Sequence, residues 1–147
     1  MSTIFKKLNL KDQKEILVLN PPASFKPEMA ALTDVTIQQD IESLENIEFS
    51  LAFVTQQAEV DSFAQAITQR AEGDAIIWFA YPKASSKKYT CEFNRDSGWG
   101  VLGKLGFEAV RQVAIDADWS PIRFRRVEFI KSLTRAKENR LTDQGKG

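Results

Sequence analysis

Four residues of one polar segment, Lys83, Ser85, Ser86 and Lys87, have side chains that can bind an anion. Lysine ammonium groups attract phosphate and carboxylate as point charges, and serine hydroxyls add directional hydrogen bonds. The segment directly follows the apolar run of residues 75–81, so we expect it at the end of a buried strand. The same composition is also typical of a solvated surface loop. These residues alone leave both interpretations open.

Two other groups of residues resemble catalytic or cofactor motifs, and the context argues against both. Gly98, Gly100 and Gly103 match the dinucleotide pattern G-x-G-x-x-G. That pattern should directly follow a buried strand, but here polar residues precede it and the next strand begins too soon afterwards. Asp116 and Asp118 could form a carboxylate pair, although aspartates two apart in a turn more often accept backbone hydrogen bonds. We therefore assign no catalytic residue from these motifs.

The chain has no histidine, and Cys91 is its only cysteine. This composition excludes a histidine general base, an intramolecular disulfide and a structural zinc site. Cys91 has no histidine to activate it, so we predict an inert, partly buried thiol. The sequence therefore predicts no metal site and no cofactor.

The turn after the first apolar strand, residues 15–19, lacks the glycines of a nucleotide-binding turn. Pro21 and Pro22 occupy it instead, and no glycine occurs before Gly73. Proline has no backbone N–H with which to bind a phosphate or carboxylate. We therefore predict that neither a dinucleotide nor S-adenosylmethionine binds at this turn.

Alternating apolar runs and amphipathic segments predict the fold. The predicted strands are residues 15–19, 34–38, 47–54, 75–81, 107–115 and 122–129, and the predicted helices are residues 26–32, the segment between Thr55 as N-cap and Gly73 as C-cap, and residues 95–105. The last two strands are joined by a short link, so they must be antiparallel neighbours. The pattern predicts a three-layer α/β sandwich with a mainly parallel, Rossmann-like sheet and a C-terminal antiparallel hairpin. Class I methyltransferases have the same closing hairpin, so the chain resembles a shortened form of that topology.

We predict a single α/β domain over residues 1–133 and a flexible charged tail over residues 134–147. The formal net charge is zero, but residues 1–81 hold six basic against twelve acidic side chains. The second half is correspondingly basic, which suits either a surface for phosphates or two halves that offset each other within the fold. The longest apolar run is too short to span a membrane, and the N-terminus has no signal-peptide core. We expect a cytoplasmic protein that binds neither a membrane nor nucleic acid.

Residues 76–126 contain W-x-x-Y-P-K ending at Lys83, the dipeptide Arg95-Asp96, and D-x-x-W-S-x-x-R-F from Asp116 to Phe124. These motifs resemble those of a bacterial domain-of-unknown-function family of short Rossmann-like proteins. The resemblance implies where a shared site would lie. We include Ser86 among the candidates because it belongs to the same polar segment as Lys83, Ser85 and Lys87. The candidate ligand-binding residues are Lys83, Ser85, Ser86, Lys87, Arg95, Asp96, Trp99, Asp116, Trp119 and Arg123. The same set could instead be a structural cluster in which arginines pair with aspartates.

Two functions of different classes follow. The first is a non-catalytic binding or interaction domain on a degenerate Rossmann-like fold, with another protein or a second copy of the chain as partner. The alternative is a small-anion or small-ligand site at the carboxyl end of the sheet, as in a reduced form of a transferase. The absence of histidine favours the first, and we adopt it as the prediction.

Overall fold

The computed structural model describes residues 3–93 and 97–130, which form one six-stranded sheet with helices on both faces. The strands are β1 (Glu15–Leu19), β2 (Thr36–Gln38), β3 (Ile47–Phe53), β4 (Ala71–Pro82), β5 (Phe107–Gln112) and β6 (Trp119–Arg126). The helices are α1 (Thr3–Lys7), α2 (Lys26–Ala30), α3 (Gln57–Arg70) and α4 (Gly100–Lys104). Short 3-10 turns cover Ala23–Phe25, Ile41–Ser43 and Val127–Phe129.

The strand order is β2-β1-β3-β4-β6-β5. Strands β1 to β4 pair in parallel, whereas β6 is antiparallel to both β4 and β5. This arrangement confirms the predicted three-layer α/β sandwich with a mainly parallel sheet and a C-terminal antiparallel hairpin. The predicted charged tail, residues 134–147, lies outside the described residues.

Two separate apolar cores lie on the two faces of the sheet. One core packs α3 and α4 against the sheet through side chains such as Ala64, Leu102 and Phe79. The other packs α1 and the chain around α2, with Phe5 and Phe25 fully or almost fully buried. Strand β4 contributes to both cores, which explains why its residues are apolar without alternation.

Several predicted boundaries differ from the structure. Gly73 does not cap α3, because the chain enters β4 at Ala71 and Gly73 lies within that strand with φ of 57°. Thr55 is not the N-cap residue, since α3 begins one residue later with Gln56 in that position. Helix α4 begins only at Gly100, five residues after the predicted start. None of these shifts changes the order of strands and helices.

No helix in the described part of the chain is long and apolar enough to cross a membrane.

Candidate ligand cavity at the carboxyl edge of the sheet

The candidate site lies where the strand order reverses, between β1 and β3. The chain leaves β1 toward the β2 side of the sheet, and then returns to place β3 on the other side of β1. In open α/β sheets, ligands bind in the crevice that such a reversal opens beyond the carboxyl ends of the strands. The residues that follow β1, β3 and β4 therefore decide what this site can hold.

The turn after β1 keeps the backbone shape of a glycine turn but not its donors. Asn20 has φ of 55°, the left-handed conformation that asparagine tolerates better than most residues. Pro21 and Pro22 follow, so two backbone N–H groups are missing from the turn. The Phe25 ring is buried 5.0 Å from that of Phe53. This turn cannot surround an anion with backbone donors at these two positions.

Glu59, in the first turn of α3, connects the turns that follow β1 and β3. Its Oε1 accepts hydrogen bonds from the backbone N–H groups of Thr55 at 2.9 Å and Gln56 at 3.1 Å. Its Oε2 accepts from Asn20 Nδ2 at 3.0 Å. The carboxylate is thereby fixed at the reversal point, and it brings a negative charge there.

An aromatic wall stands on the other side of this crevice. The Trp119 ring lies 5.1 Å from Phe53, nearly perpendicular to it, and 4.9 Å from Tyr89. Trp119 is only 3% exposed, and its buried indole N–H finds no acceptor in the described part of the chain. Buried donors are rarely left without a partner, and exceptions are frequent at functional sites.

These residues line an open cavity of about 470 Å³. Its lining residues are Asn20, Pro22, Phe53, Thr55, Glu59, Tyr89 and Trp119. The volume is within the range of small-molecule sites, and the combination of an apolar wall with a few polar groups is typical of them. Aromatic faces can stack a flat ring, and a carboxylate can hold a positive charge or a hydrogen-bond donor.

A group of hydrogen bonds between two loops positions the aromatic wall. Lys83 donates to the Asp118 carbonyl through its backbone N–H and to the Asp116 carbonyl through Nζ, both at 2.8 Å. Ser86 Oγ donates to Asp118 Oδ1 at 2.8 Å and accepts from the Tyr89 backbone N–H at 3.2 Å. We call this group the loop clasp. In the loop clasp, Lys83 Nζ and Ser86 Oγ form hydrogen bonds with other residues of the protein.

Asp116 has the turn-forming role that the sequence suggested. Its Oδ1 accepts from the backbone N–H groups of Asp118 and Trp119, both at 2.8 Å. The structure therefore brings together Lys83, Ser86, Asp116 and Trp119 from the predicted set. Ser85 and Lys87 are exposed beside them.

The remaining predicted residues lie elsewhere. Trp99 is in the core on the α4 face, where its ring is 5.0 Å from Phe93 and 5.4 Å from Phe124. Arg123 is four positions along β6 from Trp119, about 13 Å at the usual rise of a strand. Arg95 and Asp96 lie outside the described residues. Neither Trp99 nor Arg123 lines the cavity.

Six of the seven cavity residues were not in the predicted set: Asn20, Pro22, Phe53, Thr55, Glu59 and Tyr89. In the sequence, Glu59 stands out only as an acidic residue in the first turn of a helix, where its charge interacts favourably with the helix dipole. Glu59 lies six residues after the end of β3, and no sequence pattern indicates its contact with Asn20.

Cys91 is half-buried, and burial is the main cause that raises the pKa of its thiol. A thiol with a raised pKa stays protonated at neutral pH and is a poor nucleophile. Within residues 3–93 and 97–130, no group of three or more potential metal-binding side chains is found.

Removing the Asp116 carboxylate should loosen the loop that holds Trp119. In Asp116→Ala, two backbone N–H groups lose their acceptor, and we expect the free energy of unfolding to fall by about 1 kcal/mol. Urea unfolding followed by tryptophan fluorescence measures this loss. Asp116→Asn retains an oxygen at Oδ1 and should stay close to the parent protein. Equal losses in both variants would show that the carboxylate charge, and not the hydrogen bonds, stabilises the turn.

No protein-family model and no curated protein sequence matches this chain. Several solved structures are similar to it. An S-adenosylmethionine-dependent methyltransferase from Aquifex aeolicus superposes with a TM-score of 0.58 at 14% identity, over 84% of this chain and 88% of that one. The N-methyltransferase NodS from Bradyrhizobium japonicum gives 0.53 at 11% identity, over 84% and 93%. A putative type 11 methyltransferase from Sulfolobus solfataricus gives 0.53 at 8% identity, over 90% and 94%.

The chain has a methyltransferase-like fold. The resemblance to a particular bacterial family stays a prediction, because no family model matches. The predicted non-catalytic binding or interaction domain is wrong, because the three solved structures compared above are named as methyltransferases. The alternative, a small-ligand site of a reduced transferase, agrees better with these neighbours.

Proposed function

We propose that this chain is a reduced, methyltransferase-like transferase that binds a small ligand in the cavity at the strand reversal. The observation that supports the proposal is the pairing of an aromatic wall with one fixed carboxylate in that cavity. Trp119 and Tyr89 form the wall, and Glu59 is the carboxylate. The same edge of the sheet is the expected ligand position for an open α/β fold.

The cavity residues favour a ligand that has both a flat ring and a positive charge. A ring would stack against Tyr89, which is partly exposed and lies against the buried Trp119, and the charge would lie near Glu59 or over the Tyr89 ring. S-adenosylmethionine has an adenine ring and a sulfonium cation, so it is the first ligand to test. When bound, it would supply a methyl group for transfer.

The fit to S-adenosylmethionine is incomplete at one end of the cavity. Pro21 and Pro22 offer no backbone N–H to the carboxylate of its amino-acid part. This chain would have to hold such a ligand by the aromatic wall and Glu59 alone. A related ligand without a carboxylate, such as a nucleoside with a cationic substituent, meets the same residues without that conflict.

Replacing Glu59 by glutamine tests the charge of the cavity. Glu59→Gln retains an oxygen that can accept from the Thr55 and Gln56 backbone, and Asn20 can rotate its amide to match the new side chain. Calorimetric titration should show a loss of affinity of about tenfold or more for a cationic ligand, since charged hydrogen bonds contribute about 1.5–3 kcal/mol. Affinity for neutral adenosine should change little.

The control is Glu48→Gln, which removes an exposed carboxylate from the opposite end of β3. This variant should bind every ligand as the parent protein does. The ligand series comprises S-adenosylmethionine, S-adenosylhomocysteine, adenosine and methionine. If none of these changes the melting temperature, and no ring-bearing cation in a metabolite library does, the proposal is wrong.

A further inference from the structure

Two arginines face each other across the last two strands of the sheet. Arg111 on β5 is paired in register with Arg123 on β6, and Arg123 is paired in turn with Trp78 on β4. Trp78 belongs to the core on the α1 face, so the two arginines lie on that face as well. Directly opposed side chains in an antiparallel pair have Cβ atoms about 5 Å apart, and like charges there destabilise the sheet.

The positive charge of this pair is compensated only in part by the described residues. Arg123 is half-buried, and its Nε is inaccessible and donates to no acceptor. Among residues 3–93 and 97–130, no acidic side chain forms an ion pair with either Arg111 or Arg123. Burial is the main cause that lowers the pKa of Arg123. The positive charge of Arg125 and, more weakly, that of Arg111 lower it further, and the Asp74 carboxylate opposes them.

The neighbouring arginines show what compensation looks like in this sheet. Arg125 donates to both carboxylate oxygens of Asp74, from Nε at 2.8 Å and from Nη2 at 2.6 Å. Arg126 donates to the Ala71 carbonyl at 2.7 Å, and its guanidinium lies 5.1 Å from the centre of the Phe107 ring. Its Nε, like that of Arg123, is buried and has no acceptor among the described residues. Asp74 binds Arg125 with both oxygens, which leaves Arg111 and Arg123 without such a partner.

We propose that Arg111 and Arg123 bind a phosphate group on the α1 face of the sheet. A phosphate carries a charge of about −1.5 to −2 at neutral pH, which matches two guanidinium groups. Its oxygens can accept from both guanidinium forks, and two side chains that start about 5 Å apart can reach one such group. The site is separate from the cavity, since Arg123 is about 13 Å along β6 from Trp119.

The test compares the melting temperature in phosphate and in chloride at equal ionic strength. Phosphate should raise the melting temperature of the parent protein in a saturable way, because a ligand that binds only the folded state stabilises it. In Arg111→Gln and Arg123→Gln, we expect the affinity for phosphate to fall at least about tenfold, since charged hydrogen bonds are lost. Lys104→Gln removes an exposed positive charge from α4 and should respond as the parent protein does.

A second measurement separates a binding role from a structural one. Without phosphate, Arg123→Gln should melt at the same temperature as the parent protein or higher, because it removes an opposed charge. Arg111 is exposed, so Arg111→Gln gives the same information if Arg123→Gln fails to fold. The proposal is overturned if phosphate acts no differently from chloride, or if Arg111→Gln keeps the full phosphate response.

The source of the phosphate group is decided by a second series of ligands. Inorganic phosphate, glycerol 3-phosphate and adenosine 5′-monophosphate are compared at equal ionic strength. If either phosphate ester binds more tightly than inorganic phosphate, the ligand is a phosphorylated small molecule. If all three bind with equal affinity, the ligand is free phosphate. Either outcome supports the site, provided that the response is lost in Arg111→Gln.

Discussion

Trp78→Ala is expected to lower the free energy of unfolding by about 3 to 5 kcal/mol, because replacing a fully buried tryptophan leaves a cavity. The variant also removes the hydrogen bond from Trp78 Nε1 to the Leu8 carbonyl, which measures 2.8 Å. That bond ties the segment after α1 to the middle of β4. A loss of this size is a large part of the stability of an ordinary domain, which is about 5 to 15 kcal/mol.

Urea unfolding followed by circular dichroism measures this loss without depending on the removed fluorophore. Trp78→Phe is the matched control, since it retains an aromatic ring but leaves the Leu8 carbonyl without this donor. Its cost should be clearly smaller than that of alanine, which retains no ring. A loss below about 1 kcal/mol in Trp78→Ala would contradict a tightly packed α1 face.

The sequence predicts most accurately the strands that are buried on both faces of the sheet. Residues 75–81 form a continuous apolar run, and the structure places them within β4, between two layers of side chains. Residues 47–54 were predicted as a strand, and β3 covers Ile47–Phe53. An apolar run without alternation, as in residues 75–81, is typical of a strand that is covered on both faces.

The predicted boundaries of the closing hairpin were less accurate because local chemistry overrides the apolar pattern. The sequence analysis placed residues 116–121, and so Pro121, in the link between the last two strands. In the structure β6 already begins at Trp119, and Pro121 lies opposite Ala80. Asp116 Oδ1 accepts a hydrogen bond from the Trp119 backbone N–H and closes the turn there. Strand β6 therefore begins at Trp119, three residues before the predicted start at residue 122.

The candidate site was predicted in part because residues that end neighbouring strands meet at one edge of the sheet. This reasoning brings Lys83 and Asp116 together, and the structure shows their contact. It does not identify Glu59, whose contribution depends on a contact with Asn20, 39 residues away in the chain. It also cannot place Trp99, because the face of the sheet that this residue covers depends on how α4 packs.

From the sequence, the glycines around α4 could reflect either close packing or a ligand that approaches the backbone, and the structure distinguishes two of them. Gly98 has φ of 93°, and a Cβ there would lie 2.7 Å from Phe93 Cβ and 2.9 Å from Gln57 Oε1. Its carbonyl also accepts a hydrogen bond from Gln57 Nε2 at 2.8 Å, which ties this turn to α3. Gly100 has no heavy atom within 4 Å of where its Cβ would be.

Gly98→Ala is therefore expected to destabilise the protein by about 2 to 5 kcal/mol, from the strained backbone and the clash together. Gly100→Ala is the matched control, and it should stabilise the protein by up to about 1 kcal/mol, since alanine favours a helix over glycine. Urea unfolding should show a lower free energy of unfolding for Gly98→Ala and a slightly higher one for Gly100→Ala. Equal effects would contradict the packing of Gly98 against Phe93, and a ligand that approached this backbone would then be the better explanation of the glycine.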